Sequence, residues 1–251
     1  MKNKYQNKST ISSFFQRQYE PYIKICAGNN HIEDNSYEIS QASNQTEIFY
    51  RTMLSLSEPY LSEHDTVLDL GCALGRLSAE YSKRAKYVIG LDYSDAMVKI
   101  AKEIITSEKS KRINIPIRII GNSYKDAYIE GWGISNCDFI VADTQSIPFK
   151  DRLFDFIACV NLLDRTKSPK RVVSEILRVL KPHGHLLITS PYDWRKEFTP
   201  DENEWIYNMK TLFRDGCWNI LNELDGIPSF TKIHKRASSI TITHILVLKK
   251  R

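Results

Sequence analysis

The chain has 251 residues, 42% of them hydrophobic and 26% charged, enough apolar material to bury a sizeable core, and α/β domains of this length commonly fold as one unit. Its formal charge of +5, from 35 Lys and Arg against 30 Asp and Glu, is scattered rather than gathered into a run, so an acidic partner is permitted but not required. No apolar stretch approaches the roughly 20 residues of a membrane span, and five widely spaced cysteines without a C-x-x-C pair support neither a disulfide framework nor a metal site.

Met1 to Ser13 is polar and Lys/Asn-rich with no apolar signal core, which predicts a disordered tail and a cytoplasmic protein. Residues 1–60 read as an N-terminal extension in which Tyr19, Tyr22, Tyr37, Phe49 and Tyr50 are spread through polar sequence. They suit a lid over a site, or equally an extra helix packed on a domain that spans 61–251. From Thr66 onward short apolar runs alternate with helical patterns, the signature of βαβ units and a parallel sheet. Val67 to Leu70 is a buried strand, Gly71 to Gly75 a turn, and Leu77, Tyr81 and Ala85 recur at helical spacing. Tyr87 to Leu91 is the second strand, and Ser94 caps a helix whose apolar face runs through Met97, Ile100, Ala101 and Ile104. Residues 113–134 are too long for an ordinary connection and read as an insertion before a third strand at Asp138 to Val141. Phe156 to Val160 is the fourth strand. Ser168-Pro169 starts a helix that Pro182 stops, and His183-Gly184 turns the chain into the strand His185 to Thr189. Ile240 to Leu248 pairs with a strand near Phe230 to His234.

The segment Val67 to Ser78 carries the most chemistry. A buried strand runs into a glycine turn that lets a ligand approach the backbone, and the helix behind it offers free N–H groups to an anion. An ordinary tight turn would look the same. The second strand, however, ends at Asp92, about twenty residues on, where Rossmann-type folds place an acid on a ribose diol. Asp143 ends the third strand, where a carboxylate suits an adenine amino group and Thr144 offers its backbone; a turn cap is the alternative for Asp143.

Asp69-x-Gly71-x-x-x-Gly75 resembles the nucleotide-binding motif of class I S-adenosylmethionine-dependent methyltransferases. The order of the acids at Asp92 and Asp143, Ile147-Pro148-Phe149, Phe154-Asp155 and Arg178 to Gly184 matches as well, so the resemblance covers about Thr66 to Ser190. It implies an α/β, Rossmann-like fold: a mostly parallel seven-stranded sheet with helices on both faces and an antiparallel C-terminal strand. It further implies that S-adenosyl-L-methionine is the cofactor. Asp69, Gly71, Cys72, Ala73 and Gly75 would line its methionine portion, Asp92 its ribose, Tyr93 and Met97 the adenine surroundings, Asp143 and Thr144 the adenine edge, with Asn161 at the end of the fourth strand. Pro182-His183-Gly184 stands where the family commonly has Pro-Gly-Gly.

On the acceptor side, Asn161-Leu-Leu-Asp-Arg165, Ser190-Pro-Tyr-Asp-Trp194 and Glu197-Phe-Thr-Pro200 are similar to segments of the 4-mercaptohistidine N-methyltransferases of ovothiol biosynthesis. The chain departs from them after Glu204-Trp205, where Ile206-Tyr207-Asn208 replaces a Leu-Gly-Gly segment. This likeness implies a small-molecule acceptor, with Asp164 or Tyr192 orienting an imidazole, Arg165 meeting a carboxylate, and Tyr192 or Trp194 forming an aromatic wall. Each could instead be structural: Asp164 and Arg165 a local ion pair, Tyr192 and Trp194 packing aromatics. The alternatives are a methyltransferase of RNA or protein, which the absence of a base-flipping motif or basic patch makes the weaker reading, a nicotinamide oxidoreductase, whose glycine spacing differs, and a non-catalytic cofactor-binding homologue. Neither a membrane partner nor an oligomeric state is indicated.

Overall fold

Val67 and Leu68 are neighbours in the chain, point to opposite sides of a strand, and are both fully buried, so the sheet that holds them must be covered on both faces. The computed structural model describes residues 6–26, 36–214, 216–234 and 236–251, with the backbone alone for residues 25 and 36–46. Seven strands form the central sheet: β1 (Thr66–Leu70), β2 (Tyr87–Asp92), β3 (Cys137–Val141), β4 (Phe154–Val160), β5 (Leu180–Ser190), β6 (Trp218–His234) and β7 (Ala237–Lys250). Their spatial order is β3-β2-β1-β4-β5-β7-β6. The first five are parallel, while β7 runs antiparallel to both β5 and β6. The order reverses between β1 and β4, which opens a crevice at the carboxyl ends of those strands.

Helices α1 (Lys8–Tyr19), α2 (Ser36–Ser57), α3 (Arg76–Tyr81) and α4 (Asp95–Thr106) build one apolar layer with Val67, Val88, Phe139 and Phe156. Helix α5 (Pro169–Val179) and the segment around Met209, Phe213 and Trp218 build the other with Leu68, Leu70, Leu91 and Ile157. Both capping expectations hold: the Ser94 hydroxyl accepts from the Met97 N–H at 3.3 Å, and that of Ser168 from Arg171 at 3.4 Å, with Pro169 at the first helical position. Helix α5 stops at Val179, three residues before the expected stop at Pro182, because Leu180 is already extended (ψ 134) and buried. The pairing of β6 with β7 is far longer than the segment Phe230 to His234. β6 is an edge strand, so it tolerates Pro228 and three irregularities of register. No described helix is long and apolar enough to cross a membrane.

The N-terminal region departs most from expectation. Residues 8–13, read as tail, are helical: Asn7 caps α1 by accepting the Thr10 N–H at 2.8 Å, and Ser12, Phe15 and Tyr19 are buried. Met1 to Tyr5 and the Tyr37 side chain lie outside the described residues. α1 rests on the insertion, whose strands Arg112–Asn114 and Ala127–Glu130 form a small sheet with Lys24–Ile25. Arg118 donates its N–H to Ser12 Oγ at 2.8 Å, and Trp132 packs edge-on against Tyr19 and Tyr22.

Arg76 ties these parts to the sheet. Its side chain is almost fully buried, bonded to Glu80 (3.1 Å), Glu47 (3.3 Å) and the Gln18 carbonyl (3.2 Å), with Tyr22, Tyr50 and Trp132 around the guanidinium. Removing one partner of such a buried pair strands the others without a counter-charge. Arg76→Ala should therefore lower unfolding free energy by about 3 kcal/mol in denaturant titration, with α1 losing amide protection before the sheet.

Candidate active site

The crevice is shaped by a turn that L-amino acids disfavour. After β1 the backbone takes positive φ at Gly71 (72°), Ala73 (49°) and Gly75 (83°). The Leu91 carbonyl accepts both the Gly71 and Cys72 N–H groups (2.8 and 3.1 Å), and the Asp92 carboxylate accepts the N–H groups of Ala73 (3.0 Å) and Ser94 (2.8 Å). Those bonds hold the turn against β2. A Cβ on Gly71 would lie 2.9 Å from Leu162 Cδ1 at the cavity wall. Below the turn, Asp69 is buried and accepts the Ser78 hydroxyl at 2.6 Å; burial pushes its carboxyl up to about 6. Burial also raises Asp92, opposed by its backbone hydrogen bonds.

The turn borders a cavity of about 900 Å³. Asp69, Gly71, Cys72, Ala73, Asp92, Tyr93, Met97, Asp143, Thr144 and Asn161 all reach its wall. Gly75 does not: it faces the Phe139 ring, where a Cβ would come within 2.7 Å, so its glycine serves helix–sheet packing. The Asp143 carboxylate accepts the backbone N–H of Gln145 at 2.9 Å, and Asn161 Oδ1 accepts the Thr189 hydroxyl at 2.7 Å.

The acceptor-side expectations fare differently. Arg165 reaches the wall, yet its guanidinium is taken up by Asp193, through the carbonyl at 2.8 Å and the carboxylate at 2.7 Å, and it lies over the Phe198 ring. Asp164 is buried beneath it. Arg165 Nη1 comes within 3.2 Å of its Oδ2 but donates to main-chain carbonyls instead, so neither carboxylate oxygen receives a hydrogen bond. Burial pushes this carboxyl up to about 6 despite the guanidinium. Tyr192 and Trp194 point away from the cavity. Tyr192 has φ of 55°, which swings its ring onto His244 (Oη to Nδ1 2.5 Å) and the Met209 N–H, while Trp194 donates to the Ile206 carbonyl at 2.9 Å. Pro191 and Asp193 occupy the wall in their place.

Other wall residues were not singled out from sequence: Asp193 and Arg195, Phe14, Arg17 and Gln18 on α1, and Ser239 to Ile242 on β7. Asp193 had a local signal, sitting between two aromatics at a strand end. The hairpin had none, because its position depends on how far β6 and β7 overrun the sheet.

A model of the methyltransferase domain matches residues 68–188, and one for S-adenosyl-L-methionine-dependent methyltransferases matches 133–244. The chain carries a class I S-adenosylmethionine-dependent methyltransferase domain. The demethylmenaquinone methyltransferase of Renibacterium salmoninarum is 29% identical over 122 residues, 49% of this chain and 39% of that one. EEF1A lysine methyltransferase 2 of Danio rerio is 26% identical over 156 residues, 60% and 58% of the two chains. The match thus spans less than two thirds of either relative. The solved structure of the [4+2]-cyclase SpnF aligns with a TM-score of 0.57 at 17% identity, over 97% of this chain and 96% of that one, a likeness of fold alone.

The site of this methyltransferase domain fits S-adenosylmethionine. Gly71, Cys72 and Ala73 line the cavity beside Asp92, and the Asp92 carboxylate, held by backbone N–H groups, keeps acceptor capacity for a hydroxyl. Asp92→Ala should weaken S-adenosylhomocysteine binding more than tenfold in calorimetry, the scale of a lost charge-assisted hydrogen bond. A second expectation concerns pH. Because the Asp164 carboxyl is raised in the folded state, its contribution to stability is complete below its ordinary value of 3.8 and is lost as pH rises through about 6. Asp164→Asn should therefore be more stable than the parent at pH 8, with the gap closing by about pH 4, measured by denaturant titration at both pH values.

Proposed function

We propose that this chain transfers the methyl group of S-adenosylmethionine to a small acceptor, and more finely to a ring nitrogen of a histidine-derived compound of the mercaptohistidine kind. One observation carries the reading. A single cavity joins the Gly71 turn and Asp92 to the Arg165–Asp193 loops, and α1, α2 and the β6–β7 hairpin add further walls. At about 900 Å³ it lies within the roughly 300–1,000 Å³ of small-molecule sites, room for a cofactor and a small partner rather than a polymer. The N-terminal helices would serve as a lid.

When bound, the cofactor supplies an electrophilic methyl on a sulfonium. Gly71, Cys72 and Ala73 would cradle its methionine portion, Asp92 would accept the ribose hydroxyls, Tyr93 and Met97 would flank the adenine, and Asp143 and Thr144 would meet its edge. Asn161, its carbonyl end held by Thr189, keeps its N–H₂ end for a ligand. The protein contributes chiefly by positioning, since holding a nucleophile in line can supply roughly 7–11 kcal/mol of the barrier reduction. An imidazole, with an ordinary pKa of about 6.5, is largely neutral at neutral pH and needs no dedicated base.

In this reading Arg165 borders the acceptor with its fork held by Asp193, so that it sets the position of the Asp193 loop, while Asp164, Tyr192 and Trp194 act behind the wall: Asp164 beneath the guanidinium, Tyr192 and Trp194 by anchoring the loop that carries Asp193. With labelled S-adenosylmethionine, the protein should methylate a mercaptohistidine-type imidazole and leave quinols, a protein lysine substrate and total RNA unlabelled. Arg165→Lys should raise the acceptor KM at least tenfold at nearly constant cofactor Kd. Labelling of RNA or protein instead would replace the acceptor assignment, and cofactor binding without turnover of any of the four would replace the catalytic one.

A further inference from the structure

Four cationic side chains reach the cavity wall: Arg17, Arg165, Lys167 and Arg195. Arg165 and Arg195 share the Asp193 carboxylate (2.7 and 2.9 Å), and Lys167 is exposed to solvent. Arg17 differs from all three. It is partly buried on the last turn of α1, donates one hydrogen bond to Ser229 Oγ at 3.0 Å, lies 6.0 Å from the centre of the Phe49 ring, and forms no ion pair among the described residues. The wall's carboxylates are already engaged: Asp69 by Ser78, Asp92 by Ala73 and Ser94, Asp143 by Gln145, and Asp193 by its two arginines. A guanidinium has five N–H donors, and drawing one from water without an anion is costly.

We infer that Arg17 is the anion receptor of the acceptor subsite, so that the acceptor carries a carboxylate which Arg17 grips from the roof of the cavity. This rests on the reading that the cavity takes a small acceptor, and it moves the carboxylate contact from Arg165, whose fork Asp193 occupies, to the N-terminal helix. A carboxylate could come from the cofactor's methionine portion or from the acceptor. The acceptor is favoured because Arg17 donates to Ser229 on β6, which pairs with Thr241 and stands two residues from Thr231, both of them wall residues. Arg17 also lies outside residues 68–188, the stretch matched by the methyltransferase-domain model.

Calorimetry on the full chain loaded with S-adenosylhomocysteine tests this with three pairs of probes, each an acid and its decarboxylated counterpart: histidine and histamine, tyrosine and tyramine, 4-hydroxybenzoate and phenol. At least one acid should bind tenfold or more tighter than its partner, as expected of a charge-assisted contact. Arg17→Gln should erase that preference with S-adenosylhomocysteine affinity unchanged, and Arg17→Lys should restore part of it. A role in packing α1 alone would leave the acid preference intact in Arg17→Gln. Preference for a non-imidazole acid would support the carboxylate subsite while removing the histidine-derived reading. The inference is overturned if no acid is preferred, if the preference survives in Arg17→Gln, or if that variant loses S-adenosylhomocysteine affinity instead, which would assign the carboxylate to the cofactor.

Discussion

The Asp92 carboxylate accepts the Ala73 N–H at 3.0 Å and so holds the turn after β1 against the end of β2, the constraint on which the cavity wall rests. Ala73 has φ of 49°, a conformation that costs an L-residue roughly 1–2 kcal/mol, and the turn keeps it because a carboxylate at the end of β2 and the Leu91 carbonyl both take up its amides. Were the turn to relax into a right-handed course, these hydrogen bonds to Asp92 and Leu91 would be lost. Asp92 thereby has two duties, and burial of its charge is tolerated because those N–H groups partly replace water.

The same device recurs along one edge of the sheet. Ala73 follows β1, Asn161 follows β4 and Tyr192 follows β5, and each has positive φ without being glycine. Strain of this sort persists where the surroundings over-determine it and gathers at functional sites. At Asn161 the backbone N–H meets the Thr189 carbonyl and hydroxyl, so β5 sets the geometry of β4's exit. At Tyr192 the phenol is held by His244, which Glu223 holds in turn at 3.1 Å. The loop bearing Asp193 is thus braced from β6 and β7, and the Arg165–Asp193 pair inherits its position from strands at the far side of the sheet.

Arg76 has the complementary role at the N-terminal end. By drawing in Gln18, Glu47 and Glu80 it brings α1, α2 and α3 together directly behind the Gly71 turn, and Tyr19 adds a hydrogen bond to the Leu74 carbonyl at 2.6 Å. The helices that close the cavity are therefore part of the same core as the sheet. A methyl-transfer site gains from such closure, since water excluded from the sulfonium leaves the acceptor as the nucleophile in line.

The strands β1 to β5, the caps at Ser94 and Ser168, and the acids at Asp92 and Asp143 were legible because each depends on local periodicity or on the fixed distance between consecutive strand ends. The residues that the methyltransferase resemblance assigned to the cofactor side all reach the cavity wall except Gly75; Gly75 shares the motif, but its role is decided by Phe139, a partner sixty-four residues away. The acceptor side could not be read in this way. Whether Tyr192 or Asp193 faces the cavity turns on one backbone torsion, and a single reversal exchanges the two sides of a strand end. The first half of helix α1, residues 8–13, looked like a tail because the helix finds apolar partners for Phe15 and Tyr19 only when the insertion folds beneath them. Local pattern determined the strands, the caps and the Gly71 turn with its strand-end acids; long-range packing, which brings the N-terminal helices and the C-terminal hairpin to one cavity, decided the other walls.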